Sequence, residues 1–383
     1  MEYKVSIPIS DVEVGMISAE PVYVMDARGS EAMLIRGNAH LSVSVIDRLK
    51  KYNIQMITIL SDTPPEAETE PEIVIEPPKP EAKIVLNNSL EEPKEKIKPV
   101  ISRELQVKAV ESVETMFSQA TETSRADHSA VKEVYDVVDK LIREVTTDIG
   151  EKAHLSSLRS YDEYTYHHSL SVAVLSIAIG QEMGLNKWDL QRLGRGAILH
   201  DIGKMMVPVE LITKTSRLSS EEFDIVKRHV DKGAKYLQIN GIGDGGLWEV
   251  AMCHHEKIDG SGYHKGMKGK EIPLFSRITS VADVYDALTS NRPYRTPMTP
   301  SAAFEMMACD VGRHFDYDVI KAFSKKVSLY PINTIVELSN KELGVVVENT
   351  NTMRPILKML GDGQMLDLSS VANLSLVIEK VIR

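Results

Sequence analysis

Cysteine is scarce: Cys253 and Cys309 are the only two in 383 residues. Two thiols cannot build a disulfide framework. Both are expected to be reduced, with Cys253 on a buried helix face. Long hydrophobic runs are missing too. The longest apolar-rich stretch, VAVLSIAIG at 172–180, falls short of the roughly 20 residues that a membrane-spanning helix needs. The opening MEYKVSIPISD lacks the apolar segment of a signal peptide. No membrane partner and a cytoplasmic location are therefore expected. Basic charge is also in deficit, with 45 Lys+Arg against 55 Asp+Glu and a formal net charge of -10. A broad grip on a nucleic-acid polymer needs a basic face, so such a partner is not expected. A local basic pocket for a small phosphate ligand stays open. What is present, 43% hydrophobic and 26% charged residues, is ordinary for a soluble chain with room for two or three domains.

The pattern changes along the chain. Residues 1–60 suggest a small α/β regulatory module: KVSIPIS and AEPVYVMD alternate like strands, SVSVIDRLKKYNI has helical spacing, and MITIL suggests a last strand. Residues 61–100 hold eight prolines, and ten acidic residues against five lysines. Such a stretch cannot bury enough apolar surface to fold alone and is expected to be an extended linker. Residues 101–330 are expected to be almost wholly helical. Ser219 with Glu222 makes a capping box, Thr299-Pro300 an N-cap with proline at the first helical position, and Gly184 a helix stop. Residues 331–383 return to short alternating runs, NTIVELS, LGVVVEN, RPILKML and LSLVIEK, and predict a small β module of about four strands. The fold class expected is mainly α, with a small α/β module before the helical body and a small β-rich one after it.

Chemistry concentrates in the helical part. Nine of eleven histidines lie between His154 and His314. A lone histidine is commonly a satisfied core or surface residue, but this density is unusual for a residue that is the commonest metal ligand. His200-Asp201 and His254-His255 are tandem pairs. Neighbours on a regular helix point about 100° apart, so they suit two adjacent ions better than one. A carboxylate such as Asp201 has two oxygens with which to bridge them. Paired ions polarise phosphoryl oxygens and generate a hydroxide at neutral pH. Mixed histidine and carboxylate ligands suit iron, manganese, zinc or nickel.

YTYHHSLSV, GAILHDIGK, FDIVKRHV, CHHEKIDGSGY and VADVYDALTSNRPYR resemble, in order and spacing, the HD-GYP family, a branch of the HD-domain metal-dependent phosphohydrolases. The resemblance covers about residues 155–330. It implies an HD-domain helical bundle and hydrolysis of cyclic di-GMP to pGpG, or on to GMP, by a metal-bridging hydroxide. It implies His168, His200, Asp201, His229, His254, His255 and Asp283 as metal ligands, with Asp201 bridging. Glu163, with Asp162 in competition, is the candidate for a third metal, so two or three divalent ions are expected, iron or manganese first, zinc or nickel next. Lys204 is implied as the lysine facing a phosphate oxygen, and Tyr263, Arg292 and Arg295 as substrate contacts. Asp286, one turn beyond Asp283, is expected either to support a ligand from behind or to serve the helix face. The departure is Gly262-Tyr263-His264, where the family has proline third; an exposed His264 and a looser loop are expected. Two other readings stay open: hydrolysis of another nucleotide such as cyclic GMP-AMP, and a receptor that binds cyclic dinucleotide without cleaving it. Signalling protein partners and a homodimer are compatible with both.

Overall fold

The computed structural model describes residues 3–9, 12, 15–25, 31–51, 56–61, 100–123, 125–147, 164–214, 216–290, 296–349 and 353–382. The chain divides into two compact units, Met1–Asn88 and Ser89–Arg383.

In the first unit, strands β1 (Tyr3–Pro8), β2 (Ile17–Ser18), β3 (Val22–Met25) and β4 (Glu31–Ile35) precede helix α1 (Val43–Lys51) and strand β5 (Met56–Ser61). β5 is central, antiparallel to β1 and β2, and β3 pairs with β4 as a separate hairpin. Alternate residues of β5, Ile57 and Ile59, turn inward onto Leu41, Ile46 and Leu49. That is the period of two expected for a half-buried strand. β2 and β4 were not foreseen in the sequence reading. The acidic, proline-rich stretch expected as a linker lies almost wholly outside the described residues.

The second unit is helical from α2 (Arg103–Glu122) and α3 (His128–Thr147) through α4 (Tyr164–Glu182) and α5 (Lys187–Ile198). A 3₁₀ turn, Ile202–Met206, leads into α6 (Val209–Ile212), α7 (Ser220–Lys227), α8 (His229–Ile239) and α9 (Gly245–Cys253). α10 (Leu274–Thr289), α11 (Pro300–Cys309) and α12 (Tyr317–Lys326) complete the bundle. α4 is its axis. From Leu170 to Ile179 almost every side chain is buried, as expected for a helix apolar on all faces. It packs against α2, α3, α5, α10 and α12. The expected punctuation is present: Ser219 and Glu222 close a capping box on α7, Thr299 caps α11 with proline behind it, and Gly184 follows α4 at φ +79°. Among the described residues no helix is long and apolar enough to cross a membrane.

After α12 come β6 (Ile335–Leu338), β7 (Leu343–Glu348), β8 (Ile356–Met359), β9 (Met365–Asp367) and β10 (Ile378–Val381), in the order β10-β6-β7-β8-β9, all antiparallel. The sequence reading anticipated four of these and missed β9, whose three residues leave no alternation to read. Val336, Leu338, Val346 and Leu357 form the sheet's own core. Arg354 donates to the carbonyls of Leu368, Leu374 and Leu376, pinning the last turns to the sheet.

Candidate metal centre

The ligand-type side chains converge where the ends of α5 and α9 meet the start of α8 and the flanks of α4 and α10. The tandem pairs do not lie inside helices, as the sequence reading had them. α5 stops at Ile198, so His200 and Asp201 occupy the turn before the 3₁₀ segment; α9 stops at Cys253, so His254 and His255 occupy the turn beyond it. The reason is geometric. Adjacent side chains diverge on a helix, and leaving the helix lets both members of a pair face inward. Carbonyls of the last turn also meet the rings. His200 Nδ1 lies 2.7 Å from the Ala197 carbonyl and His254 Nδ1 lies 3.0 Å from that of Val250. His229, the first residue of α8, lies 2.8 Å through Nδ1 from the carbonyl of Val226 at the end of α7. In each case an Nδ1–H donated to carbonyl leaves Nε2 as a bare lone pair aimed at the centre.

Close backbone approach brings the turn and α8 together. A Cβ on Gly203 would collide with the His229 carbonyl and lie 2.6 Å from the Gly233 nitrogen. Lys232 on α8 donates to the Met206 carbonyl at 2.6 Å, closing the same contact.

Asp201 is the geometric middle. Its Oδ1 lies 3.5 Å from His229 Nε2 and 3.8 Å from His254 Nε2, while its Oδ2 lies 3.3 Å from His200 Nε2 and 3.8 Å from His168 Nε2. The donors sort into two sets, Asp201 with His229, His254 and His255, and His168 with His200 and Asp283, each within 4.8 Å. His168 on α4 spans two residues of α10: Nε2 is 3.1 Å from Asp283 Oδ1 and Nδ1 is 2.7 Å from Asp286 Oδ2. Asp286 thus touches a ligand-type histidine from behind, and Ser290 Oγ donates to its other oxygen at 3.1 Å. Lys204 Nζ sits 2.6 Å from Asp201 Oδ2.

The electrostatics match this division. Burial holds His229 down to about 4, His254 to about 3 and His255 well below the usual imidazole range, so all three are neutral and ready to donate lone pairs. For His168, burial works the same way but is outweighed by the hydrogen bonds to Asp283 and Asp286, which raise it to about 9. Burial would raise Asp201 and Asp283, yet Lys204 and His200 keep the first ionised and His168 the second, both well below the carboxylate range. Two of the buried side-chain atoms that have no hydrogen-bond partner among the described residues are His200 Nε2 and Asp201 Oδ1. Both point into the cluster. Unpaired buried acceptors are costly, and a divalent cation is the partner that satisfies a lone pair and a carboxylate oxygen together. The residues present fit a two-metal centre.

The loop after His255 folds back over it. Tyr263 N–H donates to the His255 carbonyl at 3.2 Å, and the Tyr263 ring stacks on that of His255 at 4.8 Å and 30°. Phe223 meets the other side of Tyr263 edge-on. His264 belongs to neither donor set; its Nδ1 lies 2.9 Å from Asp231 Oδ2, with the side chain 31% exposed. The loop is thus tied to α8 without a proline. Glu256, which the sequence reading left without a role, is buried and accepts from the Lys265 and Met267 amides. Its signal, an acid adjoining a histidine pair and followed by Asp-Gly-Ser-Gly, was in view but is equally that of a surface turn. Glu163, Asp162, Arg292 and Arg295 lie outside the described residues.

Residues 151–319 match the family described as HD domain. A cyclic di-GMP phosphodiesterase of Pseudomonas aeruginosa, PA4108, is 38% identical over 217 residues, which cover 56% of this chain and 51% of that one. A cyclic di-GMP phosphodiesterase of Thermotoga maritima is 38% identical over 177 residues, 45% and 47% of the two chains. A 3'3'-cGAMP-specific phosphodiesterase of Vibrio cholerae is 38% identical over 150 residues, 39% and 35% of the two. The chain spans about half the length of the first two.

Proposed function

Residues 151–319 are an HD domain, and from that premise we propose that the protein is a metal-dependent phosphodiesterase that hydrolyses cyclic di-GMP to pGpG, or on to GMP. One observation carries the proposal: Asp201 turns one oxygen toward His229 and His254 and the other toward His200 and His168, with burial keeping His229, His254 and His255 neutral while Asp201 stays ionised. His229, His254 and His255 would hold one ion, His168, His200 and Asp283 the other, with Asp201 between. When bound, such a pair supplies Lewis acidity toward phosphoryl oxygens and a nucleophile at neutral pH. Iron or manganese suits the ligand set first, zinc or nickel next.

The chain's own residues do the rest. Buried Nδ1 contacts lock four imidazoles with Nε2 inward, so no reorientation is needed on binding. Lys204 neutralises charge beside Asp201 and is exposed enough to meet a phosphate oxygen. Tyr263 forms the wall against which a base would lie. Arg292 and Arg295 are assigned to phosphate and guanine, which a planar guanidinium serves equally. Glu163 remains the candidate for a third ion.

The test is anaerobic purification, metal per chain by elemental analysis, and turnover of cyclic di-GMP with iron and with manganese. Asp201→Ala is expected to lose metal and to drop turnover by more than about 100-fold, beyond the usual cost of losing an outer partner of a ligand. Absence of turnover by the fully metallated wild type would refute the reading. The similarity to the Vibrio cholerae cGAMP enzyme supports a second substrate, so 3'3'-cGAMP is assayed beside cyclic di-GMP and the ratio of kcat/KM decides.

A further inference from the structure

We propose that Glu256 is a positioning residue for this reaction: it clamps the loop 257–268 so that Tyr263 is held over His255 at the mouth of the metal centre. The proposal rests on the reading of Tyr263 as a substrate contact.

Glu256 is 2% exposed, unusual for an acid, and among the described residues its carboxylate is held by backbone amides. Its two oxygens are used separately. Oε1 accepts the Lys265 N–H at 2.6 Å and Oε2 accepts the Met267 N–H at 3.0 Å. Both donors are backbone, so what is fixed is the path of the chain. The path is tight. A Cβ on Gly262 would lie 2.6 Å from Glu256 Cα, and Gly260 stands at φ +85°, where a side chain is disfavoured. The Gly269 amide donates to the Ile258 carbonyl at 2.9 Å, closing the base of the loop. Glu256 follows His255 directly, so the turn that aims a ligand-type imidazole also anchors the loop that returns the Tyr263 ring to it.

A buried carboxylate serving only stability would leave substrate affinity alone once the protein is folded. The clamp has a different signature. In Glu256→Gln one oxygen becomes an NH₂ that opposes a backbone N–H, and one of the two ties is lost at nearly constant volume. Lys265 and Lys268 are exposed, so trypsin reads loop release without reference to activity.

The full-length, metal-loaded chain is used throughout. E256Q is expected to be cut after Lys265 or Lys268 about tenfold faster than wild type. Its metal content is unchanged, and its KM for cyclic di-GMP rises about tenfold with kcat within about twofold. Tyr263→Ala is expected to raise KM similarly, and the double variant to be no worse than Tyr263→Ala alone. Unchanged cleavage, or effects on KM that multiply, overturns the proposal. If wild type proves inactive, the phosphodiesterase reading fails; the clamp is then judged on cleavage alone, where a wild-type rate in E256Q refutes it and a faster one upholds it. Should E256Q not fold, Glu256→Asp, which keeps the charge but shortens the reach, is carried through the same assays with the same outcomes.

Discussion

At the residue scale the site is organised by how each imidazole is held rather than by how many there are. His168 differs from His200, His229 and His254 in leaning on a carboxylate instead of a carbonyl. Replacing Asp286 by alanine removes that support. Metal affinity, measured by competition with a chromophoric chelator, is expected to fall about 10- to 100-fold, with His168 still present; an unaltered affinity would assign Asp286 to the helix face. His314 gives a prediction about pH. Its ring stacks on Phe315 at 4.1 Å, and burial lowers it to about 4. The unfolded chain, titrating near 6.5, then binds more protons than the folded one between those values. The His314 contribution is therefore fully present above about pH 6.5 and lost as pH falls toward 4. His314→Phe keeps a stack but not the proton. Its urea-derived stability is expected to drop less than wild type between pH 7 and pH 5, by up to about 2 kcal/mol. The pairs His200-Asp201 and His254-His255 were legible because such adjacency is uncommon, whereas His168, His229 and Asp283 were implied only by the resemblance of their motifs to the HD-GYP family. Glu256 and the carbonyls behind the rings were not legible, since a hydrogen bond to backbone leaves no mark in residue identity.

At the scale of elements, the site depends on helices stopping in the right place. α5 and α9 each end one or two residues before their pair, and period-3.6 patterning does not show this, because apolar periodicity places helix boundaries only loosely. Caps were easier, as at Ser219 and Thr299, where a side chain must bond a specific amide. Gly203 marks the closest meeting of two elements. Gly203→Ala forces the turn away from α8, and with it Asp201 from His229. A loss of about 1–3 kcal/mol in folding stability is expected from overpacking, together with loss of bound metal. Calorimetry and elemental analysis on one preparation check both; an alanine variant with full metal content would show that the turn yields without moving Asp201. The strands β2, β4 and β9 are less legible for a different reason: β2 and β9, with two and three residues, are too short for alternation to stand out, and the EAMLI of β4 does not alternate.

At the scale of the whole molecule, a mainly α body with small sheets before and after it was legible from the change of period along the chain. What the flanking modules do was not, because their core residues are generic aliphatics suited to packing. Among the described residues, the two donor sets bring together seven buried or half-buried side chains drawn from five stretches of chain. Removing metal should be felt by all of them. Chelation is expected to lower the Tm of the second unit and re-addition to restore it, by up to about 4 kcal/mol if free metal stood near a thousand times its Kd. A Tm indifferent to chelator would mean that the cluster is not loaded in the folded protein.

His168 and Asp286 touch across 118 residues of intervening chain. The donor set of His168, His200 and Asp283 is therefore complete only once α4 and α10 have come together. During synthesis α4 leaves the ribosome long before α10 exists to complete the cage. If ions enter only at that stage, the choice among competing cations falls to the assembled bundle. Which ion a cell installs then depends on what is abundant around mature protein, and growth in iron-poor or manganese-rich medium should change the occupant without changing the fold.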